Sequence, residues 1–234
     1  MKINASISNA AVTINNGATL SGNNILGNVI NNGIISPGNS IGTDRVKNFI
    51  NNGTYRNEVN DAGQSDLIIV DEVATLGGQL LVIPEVGNYQ SGKTYTYTVL
   101  TSTTNLINTT FASVSGTSPL FRYSVVYQPK AVLLKMIKSA TLSSTIPQGN
   151  AGIVARNLDN LQTVSGTLKT ALETLNTLPA SQLVSALNQL DVAENASIQG
   201  TLAGSFFDLG STLTNTLHDP LERSAPHTLH AMFT

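Results

Sequence analysis

Five acidic residues, Asp44, Asp61, Asp66, Asp71 and Glu72, offer the first candidate chemistry in this chain. Two carboxylates held across a sugar ring can serve as general acid and as base or nucleophile, provided that the fold fixes their separation. Asp61 and Asp66 flank Gly63, however, and acids beside a turn glycine read as solvated turn carboxylates. Three histidines, His218, His227 and His230, could in principle ligate a metal, and the last two stand at helical spacing. Pro226 and the lack of neighbouring carboxylates argue against that use. No glycine-rich phosphate loop or nucleophile motif occurs. The sequence therefore nominates no catalytic, cofactor-binding or metal-ligating residue, and the expectation is a protein that is not an enzyme.

Composition narrows the classes further. Only 11% of the 234 residues are charged and the net charge is -2, so no basic surface is available to neutralise a run of nucleic-acid phosphates or to hold an anionic membrane. Asn, Ser, Thr and Gly fill the gap left by charge, as suits tight turns and stacked strands. With no cysteine there are no disulfides and no thiolate metal sites. The opening Met1-Lys2-Ile3-Asn4 lacks an apolar signal-peptide core and reads as cut into mid-pattern, as in a fragment. No stretch approaches the roughly 18 apolar residues of a membrane helix.

The elements come into view through a repeat. Ile-Asn-Asn-Gly occurs at Ile14–Gly17, Ile30–Gly33 and Ile50–Gly53, each time between short β-favouring runs. Intervals of this size suit a solenoid whose coils stack on one another. Glycine takes positive φ and asparagine tolerates it, so Asn-Asn-Gly makes a low-cost corner. At the roughly 4.8 Å strand spacing, equivalent Asn side chains can bond in a ladder while the Ile side chains stack inside. An ordinary Asn-Gly hairpin is the competing reading.

Residues 1–60 are thus predicted as parallel β-helix coils, and residues 61–138 as the β cap that a solenoid end requires. Within the cap, Leu67-Ile68-Ile69-Val70 reads as a strand buried on both faces. Thr94–Leu100 alternates, with Tyr95, Tyr97 and Val99 on one face, and hairpins are expected to join the parallel coils. Residues 139–150 are a linker by composition and the expected protease-sensitive hinge. Residues 151–217 are predicted as helices. Leu158, Leu161, Leu168, Leu172 and Leu175 form one apolar stripe, and a second helix starts at Pro179 with Leu183, Leu187 and Leu190. A third, from about Ala196 to Leu217, carries Ile198, Leu202, Phe206 and Leu209 opposite a face that includes Gly200 and Gly204. Residues 218–234 read as a loose tail.

One stretch carries a resemblance. Asn32-Gly33-Ile34-Ile35-Ser36-Pro37-Gly38-Asn39-Ser40-Ile41-Gly42 closely resembles the "NxGxxSPGNSIG" run of bacterial autotransporters, the type V secretion proteins. The order of Ser65–Val70, Ala74–Leu80, Tyr89–Leu100 and Thr110–Val114 resembles the C-terminal passenger region called the autochaperone. The resemblance covers roughly residues 28 to 138. It implies a right-handed parallel β-helix with a β cap, a non-enzymatic role as folding nucleus and stem of a surface-exposed, adhesin-like protein, and export through the periplasm. Its implied partners are the rest of its own passenger, an outer-membrane translocator β-barrel and, transiently, the outer-membrane insertion machinery, with a host or bacterial surface ligand left open. The helices resemble the segment linking passenger to barrel, the third suiting a barrel lumen. The family's barrel strands would be expected after Leu217. A β-helical polysaccharide lyase or hydrolase, or a phage-type spike, is the alternative on the same fold.

Overall fold

The structure, a computed structural model, describes residues 6–7, 10–106 and 109–196. The chain shuttles between two sheets. Strands β1 (Ser6–Ile7) and β2 (Val12–Ile14) belong to the first and β3 (Thr19–Gly22) to the second. The first sheet takes β4 (Ile25–Asn31), the second β5 (Ile34–Pro37), the first β6 (Thr43–Asn51) and the second β7 (Thr54–Val59). The next circuit runs through β8 (Leu67–Val70) and β9 (Val73–Leu76) to β10 (Gln79–Pro84). Another runs through β11 (Thr94–Ser102) and β12 (Asn105–Leu106) to β13 (Ser113–Gly116). Successive visits to either sheet pair in parallel, with β4 against β6 and β5 against β7.

The parallel run ends in an antiparallel hairpin, in line with the expectation that hairpins join the parallel strands here: β14 (Phe121–Gln128) pairs with β15 (Ala131–Lys138), and β15 pairs with β11. The chain is mainly β and its sheets are largely parallel. Four helices follow among the described residues: α1 (Leu142–Thr145), α2 (Gly149–Asp159), α3 (Gly166–Thr177) and α4 (Ala180–Ala196). The third predicted helix and the tail lie outside the described residues.

One apolar core joins the inner sides of both sheets. It includes Leu26, Ile35, Val46, Phe49, Tyr55, Ile68, Leu80, Val99 and Met136, and it extends without a break to Leu142, Val154, Leu175 and Leu183 of the helices. The alternation predicted for β11 holds: Tyr95, Tyr97 and Val99 are buried, and a register shift between Thr98 and Leu100 brings Leu100 inside as well. β8 differs from expectation. Ile68 and Val70 are buried while Leu67 and Ile69 are only half-buried, because the strand lines one core and its other face is left partly open.

The repeated corner also differs. Ile30 and Ile50 do stack on each other in register, but on the outer face, each 38% exposed, whereas Asn31 and Asn51 face inward and are buried. Side chains alternate along a strand, so an inward Asn forces its neighbouring Ile outward. The first motif is shifted by one residue, with Ile14 rather than an Asn aligned on Asn31. The glycines at the later corners serve space rather than torsion. Gly33 and Gly53 have no positive φ, but a Cβ on Gly53 would overlap the carbonyl oxygen of Gly33, and a Cβ on Gly78 that of Gly53. That close approach lets Thr54 and Gln79 donate their N–H groups to the Gly33 and Gly53 carbonyls, at 2.8 and 2.9 Å.

The helical part corrects two further expectations. The single Leu158–Leu175 stripe is broken: α2 stops at Asp159, and α3 starts only at Gly166 after the extended Ser165. Thr163 and Val164 lose χ1 freedom in a helix and Ser165 favours a cap position, which explains the interruption. Leu161 is left exposed between the two. Residues 139–150 hold α1, closed by a capping box between Thr141 and Ser144, with Leu142 buried. Asp159 adds to that cap by accepting from the Leu142 and Ser143 N–H groups at 3.2 and 2.8 Å. α4 begins directly after Pro179 and buries Leu183, Leu187 and Leu190, as the spacing predicted.

Candidate functional site

The chemistry-bearing residues gather inside one corner of the stack, where β7 hands the chain back to β8. In β7 the alternation that buries Tyr55 and Val59 also buries Asn57. In β6 the phase that buries Val46 buries Asp44, and Asp66 stands two residues before the buried Ile68. The local sequence thus drives three polar side chains into an apolar interior, where each must find partners.

Most of those partners are main-chain groups of neighbouring circuits. One Asp66 oxygen accepts from Gly42 N–H at 2.8 Å and the other from Glu58 N–H at 2.9 Å. Gly42 closes the Ser36–Gly42 turn, so Asp66 ties that turn to the following circuit. Asn57 donates to the Asp66 carbonyl at 2.8 Å and to the Tyr55 hydroxyl at 2.9 Å, and Tyr55 donates to the Val99 carbonyl at 2.8 Å. A continuous set of hydrogen bonds therefore runs from the turn, through the interior, to strand β11. Asp44 accepts from the Asn24 N–H at 2.8 Å and from its side-chain amide at 3.1 Å.

Burial governs the electrostatics. It pushes Asp66 up to about 8 against its two backbone hydrogen bonds, with the charges of Glu58 and Glu85 adding to the rise. It pushes Asp44 up to about 6 against its bonds from Asn24. Tyr55 is also held well above the ordinary phenol value by burial and then by the charge of Asp66. The second Asp44 oxygen and the amide oxygens of Asn24 and Asn57 are buried without a protein partner. Protonation would turn the unpartnered Asp44 oxygen into a donor, in the direction that burial also favours. The corner can therefore hold protons and fix backbone. Asp44 and Asp66 have no open face toward a substrate, both being fully buried.

The burial of Asp66 corrects its reading, shared with Asp61, as a solvated turn carboxylate, and Asp44 is buried as well. The other three are at the surface or near it, each with a structural partner. Asp61 accepts from Asn88 N–H at 2.8 Å. Asp71 takes both oxygens to Arg45 Nε, at 2.9 and 3.1 Å, and Glu72 pairs with Lys47 at 3.5 Å and with Asn48 at 2.8 Å. Asp71 and Glu72 lie on the outer side of the first sheet, separate from the interior corner. His218, His227, His230, Gly200 and Gly204 lie outside the described residues. Among the described residues no three His, Cys, Asp or Glu side chains form a metal-binding group.

The expected Asn ladder is present between the second and third motifs, in two columns, while the first motif takes no part in it. Inside, Asn31 donates to Asn51 at 2.7 Å, and Asn51 donates on to the Gly77 carbonyl at 3.0 Å. Outside, Asn52 donates to Asn32 at 2.9 Å. Asn24, Tyr55 and Asn57 were not singled out by sequence reasoning, yet the signal existed. Tyr55-x-Asn57-x-Val59 and Asp66-x-Ile68-x-Val70 alternate in phase with their apolar neighbours. No family model matches the chain, and no curated protein matches it.

Proposed function

We propose that the chain is a stem-proximal segment of an autotransporter passenger, folded as a right-handed parallel β-helix and serving as folding nucleus and cap. The observation that carries this reading is the Ser36–Gly42 turn, whose sequence resembles the autotransporter run and whose end is tied through Asp66, Asn57 and Tyr55 to β11. A segment that ties the Ser36–Gly42 turn to β11, the strand on which the hairpin docks, suits a template on which further circuits stack. Two features support the β-helix: alternation between two sheets with parallel pairing, and backbone contact at Gly33, Gly53 and Gly78. The role is non-enzymatic. Its partners are the rest of its own passenger, the translocator barrel and, transiently, the outer-membrane insertion machinery, and its place is the cell surface. Antibodies raised against this chain provide the test, applied to intact bacteria that carry the gene. Labelling of unbroken cells, abolished by added protease, is the expected result. Antigen found only after lysis would overturn the surface assignment.

A further inference from the structure

The three Asn-Gly pairs share their local sequence but not their surroundings. Asn16 and Gly17 sit at the exposed tip of a turn closed by the Ala18 N–H donating to the Asn15 carbonyl at 2.9 Å. Gly17 adopts φ 80° with open space around its Cα, and neither the Asn16 side chain nor the Gly17 N–H has a hydrogen-bond partner among the described residues. Asn32 accepts from Asn52 at 2.9 Å, and its corner is pressed against the Asn15 and Ala18 carbonyls, which a Cβ on Gly33 would overlap. Asn52 is the donor in that pair, and the Gly53 N–H is bonded to the Asn31 carbonyl at 2.8 Å.

We propose that Asn16 is a site of spontaneous deamidation in the folded protein, and that stacking suppresses the same reaction at Asn32 and Asn52. The Gly17 nitrogen loses its proton and attacks the Asn16 side-chain carbonyl carbon. The carbon–nitrogen bond of the side-chain amide breaks and ammonia leaves, giving a five-membered succinimide. Water then opens the ring at either carbonyl to aspartate or isoaspartate. The reaction requires the side chain to swing over the following peptide nitrogen, a movement free at Asn16. At Asn32 it breaks the ladder, and at Asn52 it breaks both the ladder and the Gly53 bond, so these residues react only through local opening. The product places a negative charge, and in the isoaspartate form an extra main-chain carbon, at a corner next to β3, the end strand of the second sheet.

Fragment-ion mass spectrometry of protein aged in mildly alkaline buffer, native and in denaturant, tests the assignment. In the native protein Asn16 should convert roughly tenfold or more faster than Asn32 and Asn52. In denaturant the three rates should converge. Asn52→Ala, which removes the ladder donor, should raise native conversion at Asn32 and leave Asn16 unchanged. Equal native rates at the three sites, or no native conversion at Asn16 while it converts in denaturant, would overturn the proposal.

Discussion

Asp66 is the residue on which most of the corner turns, and its protonation has a measurable sign. A carboxyl whose folded-state pKa lies above its ordinary value binds its proton more tightly when native. It therefore contributes stability at low pH that is lost as pH rises through the folded value. With Asp44 at about 6 and Asp66 at about 8, stability should fall from the ordinary carboxylate range up to about pH 8. The slope approaches about 1.4 kcal/mol per pH unit for each carboxyl that is protonated only in the native state. Urea midpoints across this range give the slope directly. Asp66→Asn should flatten the part between about 6 and about 8 while leaving the Asp44 part. The variant also places an amide against a backbone N–H and loses about 1–3 kcal/mol at all pH values, so the slope rather than the level is diagnostic. Stability that instead rises with pH would contradict these positions for the two acids. The identity of these acids was legible in the sequence, but their burial was not. Gly63 drew Asp66 into a turn reading, whereas its phase with Ile68 and Val70 decided its side of the strand.

At the scale of elements, phase within a strand separates residues that composition cannot distinguish. In the apolar run of β8, Ile68 is fully buried, while Ile69 faces outward and pairs in register with Arg45. Ile68→Asp places an unpaired charge in the core and should cost several kcal/mol, enough to unfold the chain. Ile69→Asp sits beside a cation and should cost about 1 kcal/mol or less. Leu80 and Leu81 form the same contrast in β10. Chemical unfolding of the paired variants checks it, and similar losses for Ile68→Asp and Ile69→Asp would contradict the assigned faces. Strands were readable because turn residues bound them and β-branched residues fill them. Corner registers were not, since Ile-Asn-Asn-Gly permits either the Ile or the first Asn to face inward. The core chose the Asn at Asn31 and Asn51, where each finds a ladder partner, and the Ile at Ile14. In the helices the leucine spacing was sound on both sides of the Asp159–Gly166 break, but spacing alone carries through an interruption that Thr163, Val164 and Ser165 impose.

For the whole molecule, the β part and the helices share a core, and the Ser118 hydroxyl bonds the Asn176 carbonyl at 2.6 Å across them. Lys138, where the β part ends, is partly buried, which pulls its pKa down, and the nearby Asp159 opposes that shift. Seated on this end, the antiparallel hairpin closes the first sheet against β11 through Tyr95, Tyr97 and Met136. The β14–β15 hairpin is itself local, with Gln128 paired to Ala131, whereas the parallel circuits depend on pairings between residues some 20 positions apart, as in Asn31 with Asn51. Such pairings form late unless a template is present. In the function proposed above, the hairpin-closed end is that template. Pulsed hydrogen exchange during refolding tests it most directly. Amides of β8, β10, β11, β14 and β15 should gain protection first, with those of β2 to β5 following outward from the hairpin-closed end. Protection arising first in β2 to β5, or at one rate throughout, would contradict it.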